Sequence, residues 1–436
     1  MSNFTKNTIV TFLTRVITAI ITVAITVIIA RTLGPEGQGI YSIAVLFPAL
    51  LLVFTSFGLS SASVFFLGKK KYPPREIFGT GIIFNFLISI FTILIGLGII
   101  FFLADKFFPG IEKIYLILSL FLIPLLLFFN LGCQILLGLQ NFKKYNIISF
   151  FQSGLFLVLI GILLFGMHFG VTVTMLAQIL SYIVAIVILL LIVSKETNGI
   201  DLRPNINYLK ESFLYGFKVH LGGIFDFLHS RVDLFLLNIF INPFAVGIYY
   251  AAVKLTEGIW LFSISAGTVL FPKVASETDE KSLKDFTPLV CRNILFITTL
   301  IVILFFFLAN RLILLFYSAD FVGSIRPFQI LLIGAIAISG WNILCNDLAA
   351  RGRPMLNTYA IGISVLLNIF LNIIWVPKWG IIGAAWATTI SYILMFLITL
   401  FIYRQISKNK MREIVLIKIS DLFLYKKFFN IRKNSI

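Results

Sequence analysis

Apolar residues fill long stretches of the chain, and short polar segments separate them. A helix needs about 20 mostly apolar residues to cross a membrane, because each residue rises only about 1.5 Å and no backbone polar group can be left unpaired. Twelve stretches meet this requirement, numbered here as spans one to twelve: residues 8–30, 40–67, 77–103, 114–138, 146–166, 171–193, 212–240, 245–271, 290–308, 327–350, 356–376 and 381–403. The pattern predicts an all-α polytopic membrane protein.

Two pairs of segments within these spans repeat each other. Residues 170–183 (GVTVTMLAQILSYI) resemble residues 380–393 (GIIGAAWATTISYI) at an offset of 210, and residues 39–44 (GIYSIA) resemble residues 247–252 (GIYYAA) at an offset of 208. Such self-similarity predicts two structurally equivalent halves. Because each half holds an even number of spans, the two lobes are expected to be parallel, with the substrate site between them.

The polar segments divide the chain into four predicted parts. These are a first six-helix lobe at 1–193, a linker at 194–211, a second six-helix lobe at 212–403 and a basic tail at 404–436. The loop 273–288 is polar and could carry a short surface helix. The tail mixes basic residues with Ile, Leu and Phe, which favours a helix lying on the inner leaflet, with a solvated, disordered tail as the alternative.

Composition and charge agree with a membrane protein. The chain is 59% hydrophobic and 12% charged, with a mean hydropathy of +1.04, which excludes an ordinary soluble domain. Most basic loop residues fall on the side of both termini, so both termini are predicted to be cytoplasmic, in the cytoplasmic (inner) membrane. The net charge of +17 could suggest nucleic acid, but these residues face one leaflet, and we expect anionic membrane lipids, not nucleic acid, as partners.

Span one carries a polar stripe. Thr11, Arg15, Thr18, Thr22 and Thr26 are spaced by three or four residues and therefore share one helical face. Threonines alone suit close helix packing equally well. A charged group costs about 2.5–3.5 kcal/mol in a spanning helix and usually faces a wet cavity or a partner, so the arginine favours a cavity.

Span seven has two polar faces. The residues are Asp226, His229 and Asp233 on one face, and Arg231 and Asn238 on the other. One face could hold a cation and the other an anion. The alternative is a structural ion pair between one of the aspartates and either Arg231 or Lys254 of span eight.

Spans eight, eleven and twelve add further polar groups. Lys254 lies three residues before Glu257, close enough for the two charges to neutralise each other. Asn368 and Asn372 lie one turn apart in span eleven, and Thr388 lies in span twelve. Together with one carboxylate, such oxygens suit a hard monovalent cation, and they suit hydrogen bonding between helices equally well.

Motifs of soluble catalysis are not found in the sequence. There is no Walker loop, no HExxH, no nucleophile elbow and no carboxylate cluster in an aqueous loop. The three cysteines fall in predicted spans without CxxC spacing and imply neither a disulfide framework nor a metal site. We therefore expect that the protein is not an enzyme, although a membrane-embedded polyprenyl-lipid glycosyltransferase stays open as an alternative.

Four motifs in order resemble one family. They are IARTLGPEGQGIYSIA at 29–44, LFPKVAS at 270–276, LAARGRP at 348–354 and GIIGAAWATTISY at 380–392. They extend along nearly the whole chain and resemble the polysaccharide flippases of the multidrug/oligosaccharidyl-lipid/polysaccharide exporter superfamily.

This resemblance implies a V-shaped, MATE-like pair of six-helix lobes. It implies alternating access that moves an undecaprenyl-diphosphate-linked oligosaccharide from the inner to the outer leaflet for cell-surface polysaccharide biosynthesis. A sodium or proton gradient would drive the cycle without another cofactor, and polysaccharide-assembly proteins are possible partners. A multidrug exporter of the same architecture is the alternative, against which the basic residues inside the spans argue.

The resemblance also implies a sodium site in the second lobe. Related lipid II flippases build it from spans seven, eleven and twelve, and the matching positions here are Asp226 or Asp233, Asn368, Asn372 and Thr388. The second position on span eleven is acidic in those flippases. Its replacement by Asn372 predicts weaker sodium binding or none.

A lipid diphosphate brings negative charge into a region of low dielectric, where basic side chains lower its desolvation cost. The candidate diphosphate contacts are Arg15, Arg31, Arg231 and Lys254. Arg15 and Arg231 are the leading candidates, because the planar guanidinium matches phosphate oxygens. The candidate sugar contacts are Thr18, Thr22 and Asn238.

Overall fold

The computed structural model describes residues 3–167, 170–277 and 280–421. These residues form α-helices and one short 3-10 helix, and no strand occurs among them. The helices are α1 (Asn3–Thr55), α2 (Leu59–Gly68), α3 (Pro74–Phe107), α4 (Lys113–Leu120), α5 (Leu122–Gly138), α6 (Phe142–Met167), α7 (Val171–Glu196), α8 (Ile206–Phe240), α9 (Pro243–Ser276), α10 (Glu280–Phe316), α11 (Ile325–Ala350), α12 (Pro354–Ser407) and α13 (Met411–Val415), with the 3-10 helix at Ala319–Ser324.

Two of these helices are too long to cross a membrane once. α1 has 53 residues and α12 has 54, so each would be about 80 Å long if straight, against about 30 Å of hydrocarbon. Each is broken at a glycine with positive φ, Gly34 at 68° and Gly380 at 56°. Only glycine adopts this backbone conformation without steric cost. α1 therefore carries span one and the first part of span two, and α12 carries spans eleven and twelve.

The helices reproduce the predicted spans. Nine helical segments of the described chain are long and apolar enough to cross a membrane, and the segments in α1 and α12 each contain residues of two spans. α8, with 35 residues, is also long enough, but its charged residues lower its hydropathy. The chain is thus a multi-pass, all-helical membrane protein with about twelve spans, as the hydrophobic pattern predicts.

Several boundaries differ from the prediction. Span two is interrupted between Thr55 and Leu59, and the polar segment 273–288 is mostly helical, since α9 runs to Ser276 and α10 begins at Glu280. Water can satisfy the helix ends there, so polarity alone does not exclude helix. Residues 422–436 of the predicted basic tail lie outside the described residues, so the interfacial helix there stays a prediction.

The linker is shorter than predicted and is docked on the first lobe. α7 ends at Glu196 and α8 begins at Ile206. The Asn205 side chain donates to Glu76 at 2.9 Å, and the Tyr208 hydroxyl lies 2.9 Å from that of Ser63. The Lys71 ammonium also lies 2.6 Å from the Glu211 carboxylate, and this hydrogen bond lowers the pKa of Glu211. The start of α8 therefore belongs to the surface between the lobes.

At the opposite end of the bundle, the two copies of the repeated GIY segment meet. A Cβ added to Gly39 would lie 1.8 Å from the Pro243 carbonyl oxygen, and one added to Gly247 would lie 1.8 Å from that of Pro35. Prolines and glycines are thus in reciprocal contact, and the backbones of α1 and α9 touch with no room for a side chain. We call this end of the seam the Gly39 end, and the opposite one the linker end.

Candidate functional site

Three charged side chains form a cluster between α8 and α9. Arg231 Nη1 lies 2.6 Å from Glu257 Oε1, and Lys254 Nζ lies 2.6 Å from Glu257 Oε2. The three side chains are only 13–21% exposed. Because one carboxylate serves two cations, the cluster keeps a net positive charge within the membrane segment. We call it the basic triad.

Asp233, two residues after Arg231, is buried and surrounded by hydrogen-bond donors. Its carboxylate is 2% exposed. Oδ2 accepts hydrogen bonds from the Tyr249 hydroxyl at 2.7 Å and the Thr388 hydroxyl at 3.1 Å. Oδ1 accepts from the backbone N–H of Leu234 at 2.9 Å. A buried carboxylate requires such donors, because its desolvation is costly.

The asparagines of α12 extend this network. Asn368 donates to Thr388 Oγ1 at 3.4 Å and to Ser391 Oγ at 3.1 Å. Asn372 donates to Asn368 Oδ1 at 3.1 Å, while its own Oδ1 is buried and has no hydrogen-bond partner. We call Asp233, Tyr249, Asn368, Asn372 and Thr388 the Asp233 cluster.

The donor set of the Asp233 cluster fits a small hard cation. It offers carboxylate, amide and hydroxyl oxygens, and the unpaired Asn372 Oδ1 leaves an acceptor for a ligand. No group of three or more His, Cys, Asp or Glu residues suited to a metal occurs in the described part of the chain. Sodium would be held by Asp233, Asn368, Asn372 and Thr388. Its positive charge would then lie against the Asp233 carboxylate.

The structure separates the two aspartates of span seven. Asp226 is exposed and makes no ion pair within the described residues, so it does not join the Asp233 cluster. Its backbone carbonyl accepts from the Ser230 hydroxyl at 2.8 Å. The alternative of an Asp–Arg or Asp–Lys pair is not realised either, because Glu257 binds both Arg231 and Lys254.

Arg31 and Asn238 lie away from the basic triad. Arg31 donates to the carbonyl of Phe316 at 3.0 Å and also to that of Leu315. These carbonyls lie at the end of α10, where the helix itself supplies no donor. Asn238 is fully buried, and its amide reaches the Pro109 carbonyl at 3.5 Å. Both therefore connect the lobes at the Gly39 end, and the structure does not place them beside Arg231.

The threonine stripe of α1 is mostly satisfied by its own helix. The hydroxyls of Thr22 and Thr26 each donate at 2.9 Å to the carbonyl one turn earlier. The Thr18 hydroxyl is buried without a hydrogen-bond partner. The side chain of Arg15, the other leading diphosphate candidate, lies outside the described residues.

The first lobe contains a counterpart of the Asp233 cluster without its carboxylate. The Tyr41 hydroxyl donates to Gln178 Oε1 at 2.9 Å. Tyr41 precedes Tyr249 by 208 residues and Gln178 precedes Thr388 by 210, the offsets of the repeats. At the offset of 208 from Asp233 stands Ile25, which packs in the same buried cluster as Tyr41. The sequence candidates omit Tyr249, although the repeated GIY triplet marks it.

Solved structures with the same fold are membrane transporters. The chain aligns with the lipid II flippase MurJ in an inward closed conformation with a TM-score of 0.78 and 18% identity, over 93% of this chain and 89% of that one. It aligns with an inward-facing multidrug resistance MATE family transporter of the MOP superfamily with a TM-score of 0.74 and 16% identity, over 90% and 94%. These similarities show a MATE-like transporter fold.

The family follows from sequence. The family model described as polysaccharide biosynthesis protein matches residues 4–278, and the chain belongs to this family. It is 23% identical to the capsular polysaccharide biosynthesis protein CapF of Staphylococcus aureus over 91% of this chain and 98% of that protein. It is 26% identical to the probable low-salt glycan biosynthesis flippase Agl15 of Haloferax volcanii over 44% and 41%. An uncharacterized membrane protein of Methanocaldococcus jannaschii, MJ1068, is 26% identical over 85% and 78%.

Proposed function

We propose that the protein is a flippase that moves an oligosaccharide linked to a polyprenyl diphosphate, such as undecaprenyl diphosphate, across the cytoplasmic membrane. In this proposal the substrate enters from the inner leaflet and leaves to the outer one by alternating access between the lobes, with both termini cytoplasmic. The protein moves the lipid and does not modify it. The family and the flippase among its relatives support this class of function.

The observation that carries the proposal is the net positive charge of the basic triad. A diphosphate must lose water to enter the membrane region, and fixed cations reduce that cost. Glu257 holds Arg231 and Lys254 in place while no anion is bound. A bound diphosphate would balance the one positive charge of the triad that Glu257 does not neutralise. The same positive charge would repel the cationic compounds that a multidrug exporter carries.

We propose further that an ion gradient drives the cycle through the Asp233 cluster. Cation binding there would bring Asp233 of α8 and Thr388 of α12 around one ion, and α8 also carries Arg231 of the basic triad. Ion occupancy and diphosphate binding would therefore act on the same helix, two residues apart. A proton on Asp233 is the alternative coupling species.

The test is flipping of a fluorescent polyprenyl-diphosphate oligosaccharide in liposomes that contain the purified protein. We expect Arg231→Ala and Lys254→Ala each to slow flipping by at least about tenfold, since a hydrogen bond to a charged group contributes about 1.5–3 kcal/mol. Lys378→Ala is the matched control, because Lys378 is exposed beside the Gly380 break and outside the triad. Full flipping by both triad variants at normal protein levels would refute the proposal.

A further inference from the structure

A cavity of about 450 Å³ lies in the seam between the lobes, in the half nearer the linker end. α1, α5 and α6 line it from the first lobe, and His220 and Gly223 of α8 line it from the second. His220 precedes Arg231 by eleven residues on α8, which is about 16 Å along the helix axis. The cavity is therefore separate from the basic triad, and the two share one helix.

Three side chains of the cavity have polar atoms without a hydrogen-bond partner. Asn130 is exposed within its helix, Gln134 is partly exposed one turn later, and neither makes a side-chain hydrogen bond within the described residues. The Nε2 atom of His220 is buried and also has no partner. Amide groups in a membrane segment are costly unless something hydrogen-bonds to them. The cavity thus presents several donors and acceptors to a polar ligand.

Among the side chains that the structure describes, the lining is also uncharged. These side chains include no Lys, Arg, Asp or Glu, and beside the amides they provide the hydroxyl groups of Ser56, Tyr145 and Ser149 and the ring of Phe129. Hydroxyls and amides pair well with sugar hydroxyl and acetamido groups, and aromatic rings pack against the apolar faces of sugars. A sugar carboxylate would lose its water there without meeting a cation. The chemistry of the described lining therefore fits neutral carbohydrate better than charged carbohydrate.

We propose that this cavity is the glycan subsite of the transporter and that it accepts uncharged sugars, while the basic triad binds the diphosphate. The inference rests on the proposed function and names its substrate class. The glycan would extend from the triad along α8 toward the linker end. The cavity thereby adds Asn130, Gln134 and His220 to the residues that contact substrate.

The test is binding of three defined lipids to the full-length protein in nanodiscs. The lipids are a bare polyprenyl diphosphate, the same lipid with a neutral N-acetylhexosamine disaccharide, and the same lipid with a disaccharide that contains a uronic acid. We expect the neutral glycolipid to bind at least tenfold more tightly than the bare lipid, and the uronic acid lipid to show no such gain. The Asn130→Ala/Gln134→Ala double variant should lose the gain and keep its affinity for the bare lipid.

Two further variants complete the test. Gln329→Ala is the matched amide control, because Gln329 donates to the Phe306 carbonyl far from the cavity, and it should keep the gain. Gln134→Arg should invert the preference toward the uronic acid lipid, which tests the subsite even if the double variant does not fold. A gain that survives both cavity substitutions would overturn the glycan subsite, and an equal gain for the uronic acid lipid would overturn its selectivity. Failure of all three lipids to bind would instead refute the proposed function.

Discussion

The two lobes contain the same tyrosine-centred hydrogen bond and use it differently. In the first lobe Tyr41 donates to the amide oxygen of Gln178, a neutral pair packed beside Ile25. In the second lobe Tyr249 stands at the equivalent position and bonds both Asp233 and Thr388. Both lobes therefore keep the tyrosine hydrogen bond, but only the second lobe has a carboxylate as its partner.

The comparison separates what the duplication provides from what each copy adds. Close backbone contact at Gly39 and Gly247 is reciprocal, so it belongs to the shared frame. The charged groups are not shared: the basic triad and the Asp233 cluster both lie in the second lobe, while the first lobe contributes the amides of the cavity. In the proposed function, movement of the lobes would thus depend on both copies, and ion and diphosphate binding on one.

The largest expected effect is at the Gly39 end. If the two copies are equivalent there, Gly39→Ala and Gly247→Ala should abolish flipping to the same extent, because each added Cβ would overlap a proline carbonyl oxygen at 1.8 Å. The lobes would then be held apart at that end. Distances between spin labels on 35–40 and 243–248 should lengthen in both variants.

Gly161→Ala provides the control for these substitutions. Gly161 lies in α6, and apart from the backbone of its own helix no atom lies within 4 Å of its added Cβ. Alanine favours helix by about 1 kcal/mol over glycine. We expect normal flipping and unchanged label distances. Strongly unequal effects of the Gly39 and Gly247 variants would show that the seam is not symmetric.

The next effect concerns the carboxylate. Asp233→Ile gives the second lobe the residue that the first lobe has at the same offset, and we expect it to remove any rise in thermal stability on adding sodium chloride over potassium chloride. For comparison, an ion at one hundred times its dissociation constant stabilises by about 2.7 kcal/mol. Asp226→Asn should keep the sodium response, because Asp226 is exposed and outside the cluster. A sodium response that survives in Asp233→Ile would place the ion elsewhere.

The sequence predicted the spans because hydrophobic length is a local property, set by membrane thickness. It also indicated two similar lobes, because both pairs of repeated segments are separated by nearly the same number of residues. It could not choose between Asp226 and Asp233, which lie seven residues apart on one predicted face. α8 presents Asp233 to Thr388 and leaves Asp226 exposed, and this depends on how α8 packs against α12.

The positions of the basic residues show the same limit. Lys254 and Glu257 are neighbours by spacing alone, but the contact of Glu257 with Arg231 joins two helices and had no local signal. Arg31 carries the guanidinium group expected of a diphosphate ligand. However, α1 packs against the end of α10, and Arg31 donates to a backbone carbonyl there. The cavity was not predicted, because both of its amides come from α5 while His220 comes from α8, which is distant in sequence.

The smallest expected effect tests the tyrosines themselves. Tyr41→Phe and Tyr249→Phe each remove one hydroxyl, but the first leaves a neutral amide oxygen without its donor and the second leaves a carboxylate with one donor fewer. Hydrogen bonds between neutral groups contribute about 0.5–1.5 kcal/mol, and those to charged groups about 1.5–3 kcal/mol. Tyr249→Phe should therefore lower the unfolding midpoint in detergent more than Tyr41→Phe does. In an Asp233→Asn background, Tyr249→Phe should lower the midpoint no more than Tyr41→Phe does, because both lobes would then hold neutral pairs. If Tyr249→Phe still lowers it more, the Tyr249 hydroxyl acts through Thr388 and not through the carboxylate.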